Sequence, residues 1–196
     1  MERRHIVDPV IIVMARYPEK GKVKSRLAKT IGEERALHIY EALLSHTIQV
    51  VEAAEIRFEI HWSGNPQSDT LLPSGVQQVQ GDLGQRMWNA VKKFDQPVII
   101  VGTDCPDLSA LTLKQAGIFL KEKEVVFGPS EDGGYYLIGL RSPRKAFFEN
   151  IEWSTSSVLE KSIEICTQEG LTFGLLPKLK DIDEEEDLKG TIYEKI

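Results

Sequence analysis

The chain has 196 residues, of which 41% are hydrophobic and 28% charged, and its formal net charge is -6. A chain of this length buries about 70% of the surface that its unfolded form exposes, so we expect a single domain spanning residues 1–196. The net negative charge disfavours binding to nucleic acid or to anionic membranes, because most of the surface repels phosphate groups.

The apolar runs and the cysteines predict the cellular setting. No apolar run approaches the roughly 18 residues that span a bilayer, so the sequence predicts a soluble protein. Asp8 and Pro9 interrupt the first apolar run, which we therefore interpret as a strand and not as a signal peptide. Cys105 and Cys166 lie far apart and outside any CxxC pair, so neither a disulfide framework nor a zinc site is indicated. A reducing cytoplasm is the expected compartment.

Apolar runs of strand length alternate with segments of helical periodicity, which is typical of an α/β domain with a mostly parallel sheet. In chain order, the predicted elements are a strand at 10–15, helices at 24–31 and 33–54, a strand at 56–62, a loop at 63–75, a strand at 76–80, a helix at 81–94, a strand at 98–102, a helix at 112–123, strands at 125–128 and 134–140, a helix at 154–170 and an edge strand at 171–176. Gly32 and Gly170 are expected to end helices, and a Ser or Thr is expected to cap the last one.

Polar residues follow four of the predicted strands at the point where each strand ends. They are the segment from Arg16 to Arg26, Gly81 with Asp82, Asp104, and Glu131 with Asp132. Right-handed crossovers bring the carboxyl ends of parallel strands to one edge of the sheet, where open α/β sheets bind their ligands. Asp104 is therefore expected to face a ligand, although a residue that merely caps the turn before Pro106 is the alternative.

Two segments of opposite charge predict a phosphate group and a metal ion in one site, although each alone is also typical of a solvated surface. In the basic segment after the first strand, Lys24 suits phosphate as a point charge and Arg26 as a fork of donors. Mg²⁺ takes one or two protein carboxylates together with water and substrate phosphate. Asp104 with Asp181 or Asp183, from the acidic segment "DIDEEED", would supply them.

Motifs for other chemistry are missing. The segment "GKVKSR" lacks the GxxxxGK[ST] pattern and no GxGxxG follows the first strand, so neither a P-loop nor a Rossmann cofactor site is supported. Cys105 has no histidine in a recognisable partner motif, so a buried thiol is favoured over a nucleophile. Trp153 is interpreted as a packing residue that could border the site.

Six segments that occur in order carry a family resemblance: "MARYPEKGKVKSRLAKTIG", "QGDLGQRM", "VGTDCPDL", "GPSEDGGYYLIGL", "WSTSSVL" and "DIDEEEDL". Together they resemble the selenodomain-associated transferase family, which is related to 2-phospho-L-lactate guanylyltransferase and to molybdenum-cofactor guanylyltransferase. The resemblance implies a three-layer α/β/α domain with a mostly parallel central sheet, the nucleotide-diphospho-sugar transferase or GT-A-like fold. Fold kinship alone does not fix a reaction.

The resemblance also implies roles for individual positions. The implied nucleotide-binding residues are Ala15, Arg16, Gly21, Lys24, Arg26, Gln80, Gly81, Asp82, Leu83 and Thr103. The implied metal ligands, for Mg²⁺ or Mn²⁺, are Asp104, Asp181 and Asp183, and the implied catalytic residues are Lys24, Arg26 and Asp104. The implied acceptor-binding residues are Asp132, Gly133, Gly134 and Tyr135. The chain departs from the family pattern at Ser25, where Thr is frequent, and after Asp183, where Thr-Pro is usual.

These residues predict a magnesium-dependent transferase that acts on a nucleoside triphosphate or nucleotide sugar and a small acceptor. In the favoured hypothesis, a phosphorylated or carboxylated acceptor attacks the α-phosphate of a triphosphate and pyrophosphate leaves. A GT-A glycosyltransferase is the alternative, but the spacing of Asp104 and Asp107 differs from its usual DxD signature. A non-catalytic nucleotide-binding module is the third hypothesis. The sequence leaves the base, the acceptor and the oligomeric state open.

Overall fold

A seven-stranded, mostly parallel sheet organises the fold of the computed structural model, which describes residues 8–64 and 72–196. The strands are β1 (Val10–Arg16), β2 (Phe58–Ser63), β3 (Val76–Gln77), β4 (Val98–Val101), β5 (Val125–Pro129), β6 (Tyr135–Leu140) and β7 (Phe173–Leu175). Their order across the sheet is β3-β2-β1-β4-β6-β5-β7, and among these described strands β6 alone runs antiparallel to its neighbours. Much of the loop predicted at 63–75 lies outside the described residues.

Helices connect the strands. They are α1 (Ser25–Ile31), α2 (Glu33–Ala53), α3 (Leu83–Val91), α4 (Ala110–Glu122) and α5 (Val158–Gln168), with 3₁₀ turns at Lys145–Phe148, Glu185–Leu188 and Ile192–Lys195. Within the described part of the chain, no helix has the length and apolar character needed to cross a membrane.

The helices cover both faces of the sheet. Along β1, Ile11 and Val13 pack in one apolar cluster with residues of α2 and α4, whereas Ile12 packs in another with residues of α3 and α5. Successive strand side chains point to opposite faces, so a central strand covered on both sides must be apolar throughout. The predicted three-layer α/β/α fold with a mostly parallel sheet is therefore confirmed.

A third apolar cluster attaches the C-terminal segment to the first two helices. Ile182, Leu188 and Tyr193 are buried together with Leu27 of α1 and Ile39 of α2. Burial of these side chains holds residues 182–193 beside the loop that follows β1. The acidic segment is thereby brought next to the basic one.

The structure corrects several predicted boundaries. The strand predicted at 76–80 is reduced to the two residues of β3 at the sheet edge. Helix α4 begins two residues earlier than predicted, because the Ser109 side chain accepts the Thr112 backbone N–H at 3.2 Å and caps the helix. The predicted Ser or Thr at the N-cap of α5 is confirmed, because Ser157 occupies that position, although its side chain makes no capping hydrogen bond. The helix begins at Val158, four residues later than predicted, and the Thr155 hydroxyl donates to the Glu152 carbonyl in the preceding turn.

Candidate active site

The loops that follow β1 and β4 meet at the carboxyl edge of the sheet, because these strands are adjacent and parallel. Lys24 lies after β1 at the N-cap of α1, and Asp104 lies three residues after β4. The backbone N–H of Ile182 donates to the carbonyl of Asp104 at 2.9 Å, which fixes the acidic segment to the same edge. Three segments that are distant in sequence thus converge.

Lys24 is the centre of this convergence. Its backbone adopts the left-handed conformation, with φ 46° and ψ 47°, and its side chain is only 4% exposed. The ammonium group contacts the carboxylate of Asp104, lies 3.3 Å from Asp183 and donates to the carbonyl of Ile182. Burial lowers the pKa of the Lys24 ammonium, but the two carboxylates more than offset this effect and raise the pKa above its ordinary value. Lys24 is therefore a permanently charged group.

A cavity of about 340 Å³ opens beside Lys24 and is called the first cavity here. Its cationic lining residues are Arg16, Lys22, Lys24, Arg26 and Arg86. Asp104 and Asp183 also line it, and Arg26 pairs with Asp183 at 3.4 Å. A cavity with this excess of positive charge is suited to a polyanion such as a phosphate chain.

The implied nucleotide-binding residues divide between this cavity and its surroundings. Those that line the first cavity are Ala15, Arg16, Lys24, Arg26, Leu83 and Thr103. Gln80 lines an adjoining cavity of about 290 Å³, the side cavity, which shares Arg16, Lys22 and Arg86 with the first. The structure does not bring Gly21, Gly81 or Asp82 to the lining of either cavity.

Gly81 and Asp82 serve the start of α3 instead. The Asp82 carboxylate accepts the Gln85 backbone N–H at 2.8 Å, and the Gln85 side chain accepts the Asp82 backbone N–H at 3.3 Å, which forms a capping box. Gly81 has φ 131°, and a Cβ atom there would lie 2.0 Å from the Gln85 side-chain oxygen. Both residues therefore position α3 and, with it, Arg86.

Sequence reasoning missed three residues that build the first cavity. The Tyr40 hydroxyl accepts the Arg16 N–H at 2.8 Å and donates to the Arg16 carbonyl at 2.7 Å. The Gln78 amide donates to the carbonyls of Ala15 and His61. The Arg86 Nε donates to the Gly81 carbonyl at 2.8 Å. Of the three, only Arg86 could have been identified from the sequence, because it lies within the motif "QGDLGQRM". Tyr40 has the spacing of the apolar stripe of α2 and therefore looked like a core residue.

A second cavity of about 280 Å³ shares Met14, Leu83, Asp104 and Asp183 with the first. Four carboxylates line it, those of Asp104, Asp132, Asp181 and Asp183. The implied acceptor residues Asp132, Gly134 and Tyr135 line it as well.

Gly133 does not line the second cavity. It contributes to a groove on the outer face of α5 and has φ 90°. A Cβ atom at this position would lie 2.2 Å from the Ser156 carbonyl oxygen, so the close approach of two backbone segments requires glycine here. The same turn orients Asp132, whose carboxylate accepts the Ser130 hydroxyl and the Gly134 N–H.

The three implied metal ligands have different surroundings. Asp104 and Asp183 are 45% and 42% exposed, respectively, whereas the half-buried Asp181 accepts a hydrogen bond from the Cys105 thiol at 2.5 Å. Burial, together with repulsion from Asp104 and Asp183, raises the pKa of Asp181 to about 6. In residues 8–64 and 72–196, no three His, Cys, Asp or Glu side chains are arranged to hold a metal ion. The Lys24 ammonium lies between two of the three carboxylates, and the thiol binds the third.

Comparisons with known proteins agree with this architecture. The 2-phospho-L-lactate guanylyltransferase of Methanosarcina mazei is 28% identical over 183 residues, which cover 87% of this chain and 81% of that protein. A solved structure described as a nucleotide-diphospho-sugar transferase, from Desulfovibrio desulfuricans G20, is 28% identical with a TM-score of 0.80, covering 96% of this chain and 91% of the other. The structure of CMP:2-keto-3-deoxy-manno-octonic acid synthetase complexed with CTP is 10% identical with a TM-score of 0.59, covering 97% and 100% of the two chains.

These similarities confirm the predicted transferase resemblance and the GT-A-like fold. Residues 48–155 match the family model described as an uncharacterized protein conserved in bacteria, DUF2064. This match spans more than half of the chain, from the C-terminal part of α2 to the segment before α5. The chain belongs to the DUF2064 family.

Proposed function

We propose that this protein is a magnesium-dependent nucleotidyltransferase, which transfers a nucleoside monophosphate from a nucleoside triphosphate to a small acceptor and releases pyrophosphate. The observation that carries the proposal is the ion cluster of Lys24, Asp104 and Asp183, which lies where the first and second cavities meet. One cavity is lined by five cations and the other by four carboxylates. This arrangement separates a place for a triphosphate from a place for the group that attacks it.

The first cavity would hold the triphosphate. Lys24 and Arg26, both implied as catalytic, line it, and Arg16, Lys22 and Arg86 add further positive charge. Cations fixed before the substrate binds stabilise the charge that develops on the phosphates at no cost of reorganisation. The Methanosarcina mazei relative is named as a guanylyltransferase, and the CMP:2-keto-3-deoxy-manno-octonic acid synthetase structure is complexed with CTP. Both names support a triphosphate as the donor.

The residues at the junction fit a magnesium ion. Asp104 and Asp183 offer hard oxygen ligands that are partly exposed and face the cavity proposed for phosphate. Mg²⁺ is commonly held by one or two carboxylates, with water and substrate phosphate completing its shell. Asp104 and Asp183 would hold the ion. When bound, it would supply Lewis-acid polarisation of the phosphate and neutralise its charge.

The proposed transfer is a substitution at the α-phosphorus. An oxygen of the acceptor forms a bond to this atom, and the bond from the α-phosphorus to the oxygen that bridges to the β-phosphate breaks. Pyrophosphate leaves with the electron pair of that bond, and Lys24 and Arg26 stabilise its charge. In this scheme the protein forms no covalent bond with the substrate, so it catalyses the transfer by positioning the reactants and by electrostatic stabilisation.

The glycosyltransferase alternative gains no support from the site. Asp107, the second carboxylate after β4, is exposed and lines neither the first nor the second cavity. The pair that a DxD signature would require after β4 is therefore not formed by Asp104 and Asp107.

A binding experiment tests the proposal without knowledge of the acceptor. We expect nucleoside triphosphates to raise the melting temperature more with Mg²⁺ than without it, and more than nucleotide sugars do. The Asp104→Asn variant should lose the magnesium-dependent part of this shift. Its rate of pyrophosphate release, measured with any acceptor that supports turnover, should fall about 100-fold or more.

Asp107→Asn is the matched control, because it removes the same charge three residues away and outside both cavities. It should keep the response to triphosphate and magnesium. Full magnesium-dependent activity of Asp104→Asn would overturn the proposal. Stabilisation by nucleotide sugars alone would select the glycosyltransferase, and binding of triphosphate without turnover with any acceptor would select a binding module.

A further inference from the structure

We infer that Tyr40 of α2 is a positioning residue for the triphosphate. Its hydroxyl fixes the backbone of Arg16 and thereby holds the basic loop, residues 16–26, in the conformation that receives the donor. This inference rests on the proposed function. It assigns a role in donor binding to a residue that the sequence placed only in the apolar stripe of α2.

The role arises where β1 extends beyond its neighbour β4. Strand β4 ends at Val101, which pairs with Val13, whereas β1 continues to Arg16. Backbone N–H groups point alternately to the two sides of a strand, and that of Val10 points to the β4 side, where it donates to the Pro97 carbonyl at 2.9 Å. Arg16 lies an even number of residues further on, so its N–H and carbonyl face the side on which β4 has already ended.

The Tyr40 hydroxyl takes the place of the missing strand. It accepts the Arg16 N–H at 2.8 Å and donates to the Arg16 carbonyl at 2.7 Å, so one side chain pairs both backbone groups. The ring itself is fixed, because Tyr40 is 4% exposed and belongs to the apolar cluster on the α2 side of the sheet, with Ala15 and Leu44. A packed side chain of α2 therefore sets the position of the Arg16 backbone.

Arg16 extends this constraint to the basic loop. Its guanidinium donates to the Lys22 carbonyl at 2.5 Å, which closes the loop between the two residues. The side chains of Arg16 and Lys22 are exposed and line both the first cavity and the side cavity. The cations proposed to meet the triphosphate thus depend on the backbone that Tyr40 holds.

This arrangement favours binding more than the transfer step. A loop that is ordered before its ligand arrives avoids the entropic cost of ordering during binding. When only a fraction of the molecules holds the receptive conformation, the apparent affinity falls by that fraction. Loss of the Tyr40 hydroxyl lowers the fraction, whereas a bound triphosphate orders the loop through its own contacts.

Tyr40→Phe tests the inference, because it removes the hydroxyl and keeps the buried ring. The ligand is the α,β-methylene analogue of whichever of ATP, GTP, CTP and UTP raises the wild-type melting temperature most. Its dissociation constant, measured with Mg²⁺ by calorimetry on the full chain, should rise about tenfold. With any acceptor that supports turnover, KM for the triphosphate should rise by a similar factor while kcat stays within about threefold of the wild-type value.

Proteolysis measures the state of the loop itself. Trypsin cleaves after lysine, and Lys22 is exposed within the basic loop. Cleavage after Lys22 should be about fivefold faster in Tyr40→Phe than in the wild-type chain, because the loop opens more often. Saturating analogue with Mg²⁺ should abolish the difference.

Thr47→Val is the matched control. Thr47 also lies in α2 and is fully buried, but its hydroxyl donates to the Leu43 carbonyl at 3.1 Å within the same helix. The variant removes a buried hydroxyl that contacts neither Arg16 nor the two cavities of the loop. It should retain wild-type affinity and cleavage rate even where its melting temperature falls as far as that of Tyr40→Phe.

The inference is overturned by unchanged affinity or unchanged cleavage in Tyr40→Phe, by an equal loss of affinity in Thr47→Val, or by a kcat that falls as far as the affinity. The wild-type titration separates these results from the proposed function. A wild-type chain that binds no triphosphate contradicts the proposed function. A wild-type chain that binds triphosphate as tightly as Tyr40→Phe does contradicts only the inference.

Discussion

Lys24 shows how one residue can be committed to a site at the expense of local stability. A left-handed backbone costs a residue other than glycine about 1–2 kcal/mol, and Lys24 adopts it at the N-cap of α1. The contacts of its ammonium group with Asp104 and Asp183 offset this cost, so backbone and side chain depend on one another. The sequence predicted Lys24 as a phosphate ligand, but not its contact with a carboxylate 80 positions away.

The two cysteines give a prediction about reactivity. Burial and the neighbouring Asp181 carboxylate raise the pKa of Cys105, and burial raises that of Cys166 to about 11. Since the thiolate is the reactive form and appears only as the pH rises through the pKa, neither should react in the native state at about pH 8. Ellman's reagent should therefore modify both cysteines in guanidinium and neither in buffer. Rapid modification of one cysteine in the folded chain would show that this part of the core opens.

At the level of single elements, the spacing of apolar residues was sufficient to predict a helix or strand wherever a whole strand or one whole helix face is buried. The apolar run of β1 and the stripe of α2 determined their elements, because each must bury its whole length or one face. Local patterns failed where a distant contact decides the outcome. The antiparallel direction of β6 depends on pairing with β4 and β5, and the turn before α5 depends on the close approach of Gly133 to Ser156.

The capping box of α3 gives a prediction for a residue to which the resemblance assigns a nucleotide contact. Asp82→Ala should lower the free energy of unfolding by about 1 kcal/mol, because the Gln85 N–H loses its acceptor. Asp82→Ser retains a capping oxygen and should keep both stability and triphosphate affinity. Denaturant unfolding and nucleotide titration measure the two properties. Normal stability of Asp82→Ser with weakened nucleotide binding would instead place Asp82 in contact with the nucleotide.

At the scale of the whole molecule, the C-terminal segment links core packing to the site. Leu188 is buried in the third apolar cluster, five residues after Asp183. Leu188→Ala should lower the free energy of unfolding by about 2–5 kcal/mol. It should also weaken triphosphate binding, because α1 and Asp183 lose their common support. Both quantities are measured on the same variant, by denaturant unfolding and by nucleotide titration.

Leu120→Ala is the matched control for this prediction. Leu120 is equally buried, but it lies in α4 and outside the third cluster. This variant should lose similar stability while it retains triphosphate affinity. Equal affinities of the two variants would show that the C-terminal segment contributes only to folding.

The sequence predicted the location of the candidate site, at the carboxyl edge of the sheet, better than it predicted the contacts between the side chains there. Topology places the ends of β1 and β4 together, so the sequence correctly predicted which loops are neighbours. Whether Asp82 caps a helix or Asp181 binds a thiol depends on side-chain geometry that no spacing encodes. The separation of charge between two cavities is likewise a property of the assembled chain.

The hydrogen bond from the Ile182 N–H to the Asp104 carbonyl affects when the site can form during synthesis of the chain. A nascent chain that has not yet delivered residues 181–196 to the folding domain already contains the basic loop and the whole sheet. It lacks the partner that, with Asp104, holds Lys24 in place. Competence to bind substrate therefore arises only after residues 181–183 have been synthesised and have docked beside the end of β4.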